Sequence, residues 1–495
     1  MFKNLLANII GKTWNLVSTI VFIPFYLKFL DFESFSIISF SVLLFSIVTI
    51  CDAGMTASLS RELARTDTDS DTKKITFDTL KTTYLFISFF VILIAFIFSK
   101  SIAINFVKTE VFSLEILTLY IRIISIGIGF QMFLNFSIAG IIALNKQVLA
   151  NKLLIFWSVF RNGIVVLILY FYPRLDLFFA WQTLSTVIFS IIALYYVTVF
   201  VKFKFEFNLS FDINNFKRIW RFTLGMFSIT LLAVMTQQLD KGILSYVLTV
   251  NQLGYYSLAF TISLFLVSSV NPFAVTILPK LTAFFTNNKP KEAIKLFTIF
   301  QKISLIVILS LSLNLMFFSY DFVYLWLGDE IIAKKVSTFL PLIVSGYTFM
   351  AISVMLYNVV IANGYTKLNI ILSTISVIIT TPLYFLLIKY YQLLGASFVF
   401  CISQFVYIIL YYYFINKKYL NLNFKDLIVI PIFKPLLVSI ILVCLFKYFK
   451  FNDGNLFNFF YLSISIIICL VLNTLVCFKI INLKTLIKST LRYET

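Results

Sequence analysis

The sequence predicts an all-α integral membrane protein with about fourteen transmembrane helices. Three observations predict this class. Of the 495 residues, 61% are hydrophobic and only 12% are charged, whereas a soluble chain carries about twice that charged fraction. Apolar runs of about 20 residues, long enough to cross the hydrocarbon core as a helix, recur along the chain. The alternating pattern of a membrane β-barrel does not occur, and open strands would leave backbone groups unpaired in lipid.

The apolar runs predict the position of each helix, and the segments between them are short. We therefore expect no soluble domain on either side of the membrane. From the N-terminus to the C-terminus the predicted spans are 8–30, 35–60, 83–105, 113–144, 153–172, 177–201, 222–248, 254–279, 296–320, 336–363, 368–388, 393–415, 431–449 and 456–478.

The distribution of positive charge predicts the orientation. If the N-terminus is cytoplasmic, Lys and Arg favour the cytoplasmic segments by roughly three to one, as the positive-inside rule requires. Both termini are then cytoplasmic. The net charge of +19 is explained by this orientation and by attraction to anionic headgroups, so we expect no nucleic-acid partner.

Several chemistries are excluded by residues that the chain lacks or places in lipid. It has no histidine, the commonest general base and metal ligand. No glycine-rich phosphate loop occurs, so the chain is not expected to hydrolyse ATP. All the cysteines fall in or beside apolar spans, which predicts neither disulfides nor a metal site. They are Cys51, Cys401, Cys444, Cys469 and Cys477.

The spans group into two six-helix bundles, 1–201 and 222–415. A cytoplasmic linker, 202–221, joins them, and 416–495 holds helices 13 and 14 and a cytoplasmic tail. The segment LDFESFSIISF from Leu30, between helices 1 and 2, is echoed by VNQLGYYSLAF, between helices 7 and 8. Parallel repeats of this kind are typical of transporters.

Five ionisable residues lie within predicted spans: Arg122, Arg161, Asp240, Lys241 and Asp52. Facing lipid they would cost several kcal/mol, so such groups normally face a cavity. Three cations and two carboxylates make the membrane interior net positive. A cationic cavity suits an anionic substrate such as a lipid diphosphate, to which arginine offers a bidentate fork. We therefore predict that the cations bind substrate and that the carboxylates line the cavity or couple transport to an ion.

Each of these residues also has a structural alternative. The arginines could pair with an acidic residue such as Glu115 or cap unwound backbone. Asp240 and Lys241 are adjacent and point about 100° apart on a helix, so the lysine could instead snorkel to the outer interface. Asp52 could cap a helix or pair with Arg61.

Ordered motifs along nearly the whole chain resemble those of bacterial polysaccharide flippases for O-antigen or capsule. GKTWNLVSTIVFIPFYLKFL from Gly11 and CDAGMTASLSREL at 51–63 resemble the start of that family. QLDKGILSYVLTVNQLGYYSLAF at 238–260 resembles its seventh-helix signature, an acidic-basic pair followed by a GYYSLA run. PKL from Pro279 and the Asn-Gly pair at Asn363 with a following lysine also fit.

The resemblance implies a place in the multidrug/oligosaccharidyl-lipid/polysaccharide exporter superfamily. It implies two six-helix bundles around a central cavity, with a C-terminal helix pair. The expected activity is translocation of undecaprenyl-diphosphate-linked oligosaccharide repeat units across the bacterial cytoplasmic membrane by alternating access. Expected partners are that substrate, membrane lipids and the repeat-unit polymerase machinery. The family usually has glycines in the turn between helices 1 and 2, where this chain has Asp31 and Ser36.

Other functions fit the residues less well. A multidrug exporter of the same superfamily, the alternative, usually has an acidic or apolar cavity for organic cations. A repeat-unit polymerase or ligase would need a large outside loop with catalytic basic residues, and the outside segment at 321–335 is too short, so we expect no enzyme activity. We expect no cofactor or metal. Asp240 or Asp52 could couple the cycle to proton or sodium movement, because a carboxylate in low dielectric titrates nearer neutrality.

Overall fold

The computed structural model describes residues 2–52, 54–65, 69–202, 209–365, 367–423, 430–449 and 455–477. These residues form helices and no β-strand, which confirms the prediction of an all-α membrane fold. The helices are α1 Phe2–Phe29, α2 Phe32–Val48, α3 Met55–Ala64, α4 Ser70–Ile97, α5 Ser99–Phe106, α6 Leu114–Ala143, α7 Gln147–Ser158, α8 Ile164–Phe171, α9 Leu175–Lys202, α10 Ile213–Val247, α11 Val250–Thr286, α12 Pro290–Phe317, α13 Ser319–Leu327, α14 Glu330–Ser337, α15 Leu340–Ala362, α16 Lys367–Ile415, α17 Ile430–Tyr448 and α18 Asn455–Cys477.

Among the described residues, 12 helical segments are long and apolar enough to cross a membrane. The first helix contributes a shorter apolar segment, Val17–Phe29, that is not among them. The chain is therefore a multi-pass membrane protein, and the count of fourteen spans stays a prediction.

Helix α16 is interrupted at Gln392, whose backbone has φ 50° and ψ −126°. A β-carbon placed on Gly395 would lie only 2.1 Å from the carbonyl oxygen of Leu387. Residues eight apart on a straight helix are separated by about 12 Å, so the chain turns back on itself here. The turn falls between the two spans predicted at 368–388 and 393–415.

The single helix predicted over 35–60 is wrong, because the chain leaves the helix at its middle. A 3₁₀ turn, Thr49–Asp52, ends α2, and α3 starts only after Gly54. Gly54 has φ +73°, and a β-carbon there would lie 2.6 Å from the carbonyl oxygen of Thr223. Only glycine combines a positive φ with so close an approach, so packing against α10 fixes the break and leaves Asp52 at a helix end.

The chain divides into two compact units. The N-terminal unit comprises Met1–Ser257 with Val377–Phe385, and the C-terminal unit comprises Leu258–Ser376 with Leu386–Thr495. The predicted division at 202–221 stays a prediction. Six residues of that linker, 203–208, and the tail from 478 lie outside the described residues, whereas the linker from Ile213 onward is already part of α10.

In the N-terminal unit, α6 and α9 pack along their lengths and carry two apolar cores, one at each end. Lys202, at the C-terminal end of α9, is buried in an ion pair. The carboxylate of Asp78 on α4 lies 2.8 Å from Lys81 Nζ and 2.5 Å from Lys202 Nζ, and all three side chains are buried. A buried cation is tolerated only when it is paired, so this triad fixes α9 against α4.

Helix α10 is hydrogen-bonded at both ends to other segments of the N-terminal unit. At one end Arg218 donates to Glu62 on α3 at 3.1 Å. At the other end Ser245 Oγ donates to the carbonyl oxygen of Phe106 at 2.7 Å, and Lys108 Nζ donates to that of Val247 at 3.2 Å. The middle of α10 contributes Thr230 to the cavity described below.

Candidate substrate-binding site

A cavity of about 200 Å³ lies inside the N-terminal unit. Helices α2, α3, α4, α6 and α10 contribute to its wall, and one part of the wall is apolar, formed by Phe45, Val48, Ile128 and Met132. The remaining part of the wall is polar. Its members are Thr49, Asp52, Thr56, Tyr84, Gln131, Asn135 and Thr230.

Asp52 is held at the cavity wall by two hydroxyl groups. Its Oδ1 atom accepts hydrogen bonds from Thr56 Oγ1 and, at 2.7 Å, from Tyr84 Oη. Tyr84 is 1% exposed and stacks on Phe136 at 4.7 Å between ring centroids, so the rotamer of the phenol is fixed. Thr56 belongs to the first turn of α3, which the break at Gly54 positions. The hydrogen bond between Thr56 and Asp52 is of the kind expected if Asp52 caps a helix, the structural alternative given above.

Gln131 and Asn135 form a polar pair one turn apart on α6. Gln131 Nε2 donates to Asn135 Oδ1 at 3.2 Å. The Oε1 atom of Gln131 is buried and accepts no hydrogen bond from any residue that the structure describes. Buried acceptors are normally satisfied, so this atom is an exception within the unit.

Arg161 lies on a π-helical turn, Val159–Gly163, between α7 and α8. Its Nε atom donates to Gln182 Oε1 on α9, and within the described part of the chain neither terminal nitrogen has a hydrogen-bond partner. A π-turn leaves backbone carbonyls unpaired in the helix. Here Trp181 Nε1 donates to the carbonyl oxygen of Phe160 at 3.0 Å. Tyr26 Oη donates to the carbonyl oxygen of Asn162 at 3.4 Å.

The guanidinium of Arg161 packs against two aromatic rings, one of which belongs to the cavity wall. Its Cζ atom lies 5.3 Å from the ring centroid of Phe45 and 5.0 Å from that of Trp157. Phe45 itself lines the cavity. Since Phe45 and Asp52 are seven residues apart, roughly 10 Å separates them along the helix axis. Arg161 thus packs against one wall residue of the cavity, whereas Asp52 lines the cavity itself.

Arg122 is not brought to this cavity. Its side chain is exposed, its Nε atom donates to Ser99 Oγ at 3.3 Å, and its guanidinium lies 4.8 Å from the ring of Phe96. On α6 it is nine residues before Gln131, which places the two side chains about 180° apart around the axis. The substrate-binding role of Arg122 stays a prediction.

Asp240 and Lys241 lie near the opposite end of α10 from Arg218. Asp240 is 3% exposed and accepts from Tyr256 Oη at 2.9 Å and from the backbone N–H of Lys241 at 2.8 Å. Lys241 Nζ donates to Gln238 Oε1 at 3.3 Å. Neither residue lines the cavity at Asp52, and the roles predicted for both stay predictions.

Of the five predicted residues, Asp52 lies in the cavity wall and Arg161 packs against the wall residue Phe45. Sequence reasoning did not find the neutral polar members of the site. Gln131 and Asn135 had a signal, because the amides stand four residues apart within the apolar run IGIGFQMFLNFSIAGII, and such a spacing places both on one face of a helix. No comparable sequence pattern marked Tyr84 or Thr230.

The sequence profile of a family described as polysaccharide biosynthesis protein matches residues 1–285, more than half of the chain. The profile of the MatE family matches residues 226–386. A curated relative, the capsular polysaccharide biosynthesis protein CapF of Staphylococcus aureus, is 27% identical over 232 residues. The match covers 46% of this chain and 57% of CapF, so it spans little more than half of that relative.

Two solved structures share the fold. The lipid II flippase MurJ in an inward closed conformation aligns with a TM-score of 0.75 and 15% identity, over 96% of this chain and 98% of MurJ. An inward-facing multidrug resistance MATE family transporter aligns with a TM-score of 0.67 and 14% identity, over 82% of this chain and 93% of its own. At such identities the likeness shows that this chain has the fold of these transporters.

Proposed function

Because the chain belongs to the polysaccharide biosynthesis protein family, we propose that it is a flippase for undecaprenyl-diphosphate-linked oligosaccharide repeat units. It acts in the bacterial cytoplasmic membrane with both termini cytoplasmic, and it supplies the synthesis of a surface polysaccharide such as O-antigen or capsule. It moves its substrate without covalent chemistry and is not an enzyme. The repeat-unit polymerase machinery takes the product on the far side.

The observation that carries the proposal is the geometry of Arg161. Its Nε atom is fixed by Gln182 and its guanidinium packs against the rings of Phe45 and Trp157, while its terminal nitrogens have no hydrogen-bond partner among the described residues. A pre-oriented guanidinium offers two parallel N–H groups to one phosphate, and the bonds are charge-assisted. The diphosphate binds there while the polyprenyl chain stays in lipid.

Transport then follows alternating access, in which the ligand shifts a pre-existing equilibrium between inward-open and outward-open states. We assign ion coupling to Asp240, because it is a buried carboxylate bound to Tyr256 and adjacent to a lysine. Asp52 is the second coupling candidate. A transport rate that is indifferent to both proton and sodium gradients would contradict coupling at either residue.

A second candidate function is export of organic cations, favoured by the match of the MatE family to residues 226–386. Asp52 would then bind the cation directly. The position of Arg161 beside the same cavity favours the flippase, since a guanidinium at one end repels a cationic drug and attracts a diphosphate.

The test is complementation. The chain is expressed together with its own glycan gene cluster in a bacterium whose O-antigen flippase has been deleted, and surface polysaccharide is measured. We expect rescue by the wild type and loss of rescue by Arg161→Ala at equal membrane abundance. Failure of the well-inserted wild type, combined with increased resistance to cationic dyes, would reject the flippase in favour of the exporter.

Arg122→Ala belongs in the same assay, because the structure does not place Arg122 with the cavity. Loss of rescue at normal abundance would retain the substrate-binding role predicted for it. Full rescue would assign Arg122 to packing against Phe96 and Ser99.

A further inference from the structure

We propose that the cavity beside Asp52 is a subsite for one sugar ring of the lipid-linked substrate, separate from the diphosphate site at Arg161. The inference rests on the proposed flippase function and goes beyond it. It assigns the recognition of sugar hydroxyl groups to residues of the N-terminal unit, and it divides the site into an anion-binding end and a sugar-binding end.

The hydrogen-bonding groups of the cavity fit hydroxyls. A sugar hydroxyl both donates and accepts, so its site needs acceptors and donors close together. Asp52 is an acceptor, and the hydroxyl groups of Thr49 and Thr230, which also line the cavity, can accept as well as donate. The amide of Asn135 accepts from Gln131 through Oδ1, which leaves its N–H groups as donors.

The apolar part of the wall and the size of the cavity also fit. Phe45 and Met132 face the same space as the polar groups, and a sugar ring presents both C–H and O–H groups. The volume of about 200 Å³ is below the range of roughly 300–1,000 Å³ usual for drug-sized ligands. One ring rather than a whole repeat unit therefore fits.

The order of the two ends matches the order of groups in the substrate. Arg161 packs against the ring of Phe45, and Asp52 follows Phe45 by seven residues, roughly 10 Å along the helix axis. In a lipid-linked repeat unit the sugars follow the diphosphate. A diphosphate held at Arg161 thus directs the sugar that follows it towards Asp52.

A metal ion fits the cavity less well. Hard cations take about six or more oxygen ligands, usually with several carboxylates. Oδ1 of Asp52 already accepts from Thr56 and Tyr84, and the described residues contain no group of three or more potential ligands among His, Cys, Asp and Glu.

The test uses protection of a cysteine in the cavity. Thr230→Cys is introduced into a full-length chain whose five native cysteines are replaced, and Arg174→Cys, at an exposed site, is the matched control. Each variant must first reach the wild-type level in the membrane and purify as a folded protein. The purified proteins are placed in lipid nanodiscs and labelled with a small thiol reagent. The probes are the lipid-linked repeat unit isolated from cells with the chain's own gene cluster, and undecaprenyl diphosphate without sugar. Binding of each radiolabelled lipid is measured in parallel.

At ten times Kd only about a tenth of the sites remains free, so a bound sugar should slow labelling of Thr230→Cys roughly tenfold. We expect the repeat unit to protect this cysteine, undecaprenyl diphosphate to bind without protecting it, and Arg174→Cys to be unaffected. Equal protection by both lipids would place the diphosphate in the cavity and overturn the sugar subsite. Binding of the repeat unit without protection would also overturn it, while the flippase function would stand. Absence of binding by either lipid would reject the flippase function itself.

Discussion

The two units of the protein use buried polar residues in different ways. All five ionisable residues predicted within spans belong to the N-terminal unit, where Asp52 borders a cavity and Arg161 keeps hydrogen-bond donors available. The C-terminal unit instead has a neutral network that links α12 to α17 and α18. Its members are Ser310, Asn314, Ser439, Ser465 and Asn473.

The network of the C-terminal unit joins helices directly. Asn473 Nδ2 donates to Ser310 Oγ at 2.9 Å and to Ser439 Oγ at 2.6 Å, and Ser465 Oγ donates to Asn314 Oδ1 at 2.7 Å. All five side chains are buried. Interhelical hydrogen bonds of this kind stabilise helix packing in membranes. The C-terminal unit thus holds helices together with neutral groups, whereas the N-terminal unit does so with charged groups such as the Asp78 triad and also has a carboxylate, Asp52, in a cavity wall.

The largest effect is expected for Arg161→Ala. Loss of a charge-assisted hydrogen bond costs about 2 kcal/mol, or roughly thirtyfold in the Kd of undecaprenyl diphosphate. Arg161→Lys should recover part of the affinity, since the charge remains but the bidentate fork is lost. Arg174→Ala is the control, because Arg174 is exposed and pairs only with Asp176 among the described carboxylates. Unchanged binding by Arg161→Ala would mean that the diphosphate binds elsewhere.

A smaller effect is expected for Asp52→Asn, which keeps the size of the side chain. Replacing a charged acceptor should weaken binding of the lipid-linked repeat unit by about 1.4 kcal/mol, roughly tenfold. Binding of undecaprenyl diphosphate should not change, because it carries no sugar. Titration of both lipids measures the difference. If both affinities fell equally, Asp52 would act on the diphosphate or on the fold.

Gly254→Ala tests packing within the N-terminal unit without touching the cavity. A β-carbon at Gly254 would lie 2.1 Å from Ser36 Oγ, so overpacking should destabilise the protein by about 1 kcal/mol or more. Adding Ser36→Gly, which removes the clashing hydroxyl group from α2, should recover part of the melting temperature, because a glycine within a helix has its own cost. A double variant no more stable than Gly254→Ala would show that the clash lies with other atoms, such as the ring of Phe32.

The smallest effect is expected for Asn473→Leu in the C-terminal unit. Each interhelical hydrogen bond in a membrane contributes about 0.6 kcal/mol, so the two bonds of Asn473 should cost about 1 kcal/mol in stability. The melting temperature in detergent should fall, while the Kd values of both lipids should stay the same. A weakened Kd at an unchanged melting temperature would remove the distinction between the two units.

The sequence was sufficient to predict a helix wherever the length of an apolar run alone determines the structure. Predicted spans such as 113–144 and 177–201 agree with α6 and α9 to within two residues, because an apolar run of this length has no alternative to a helix in lipid. The break at Gly54 was missed, since its positive φ depends on contact with α10 rather than on local residues. The position of Asp52 in a cavity wall agrees with the expectation that a charge within a span avoids lipid, and the roles predicted for Asp52 and Arg161 stay predictions.

The other residues of the site could not be predicted, because their position depends on which helix faces pack together. Gln131 is neutral and could have faced another helix as easily as a cavity. Arg122 shows the converse, because a cation within a span need not reach the cavity when an aromatic ring and a hydroxyl, here Phe96 and Ser99, can receive it.

The most direct test of the flippase account is transport in proteoliposomes. The purified chain is reconstituted with lipid-linked repeat units in both leaflets, and a membrane-impermeant oxidant is added to destroy outer-leaflet sugars. We predict that the wild type exposes the whole pool of sugars to the oxidant, whereas Arg161→Ala exposes little more than protein-free liposomes do. If the inner pool stayed protected with the wild type while an organic cation crossed the same membranes, the chain would be an exporter and not a flippase.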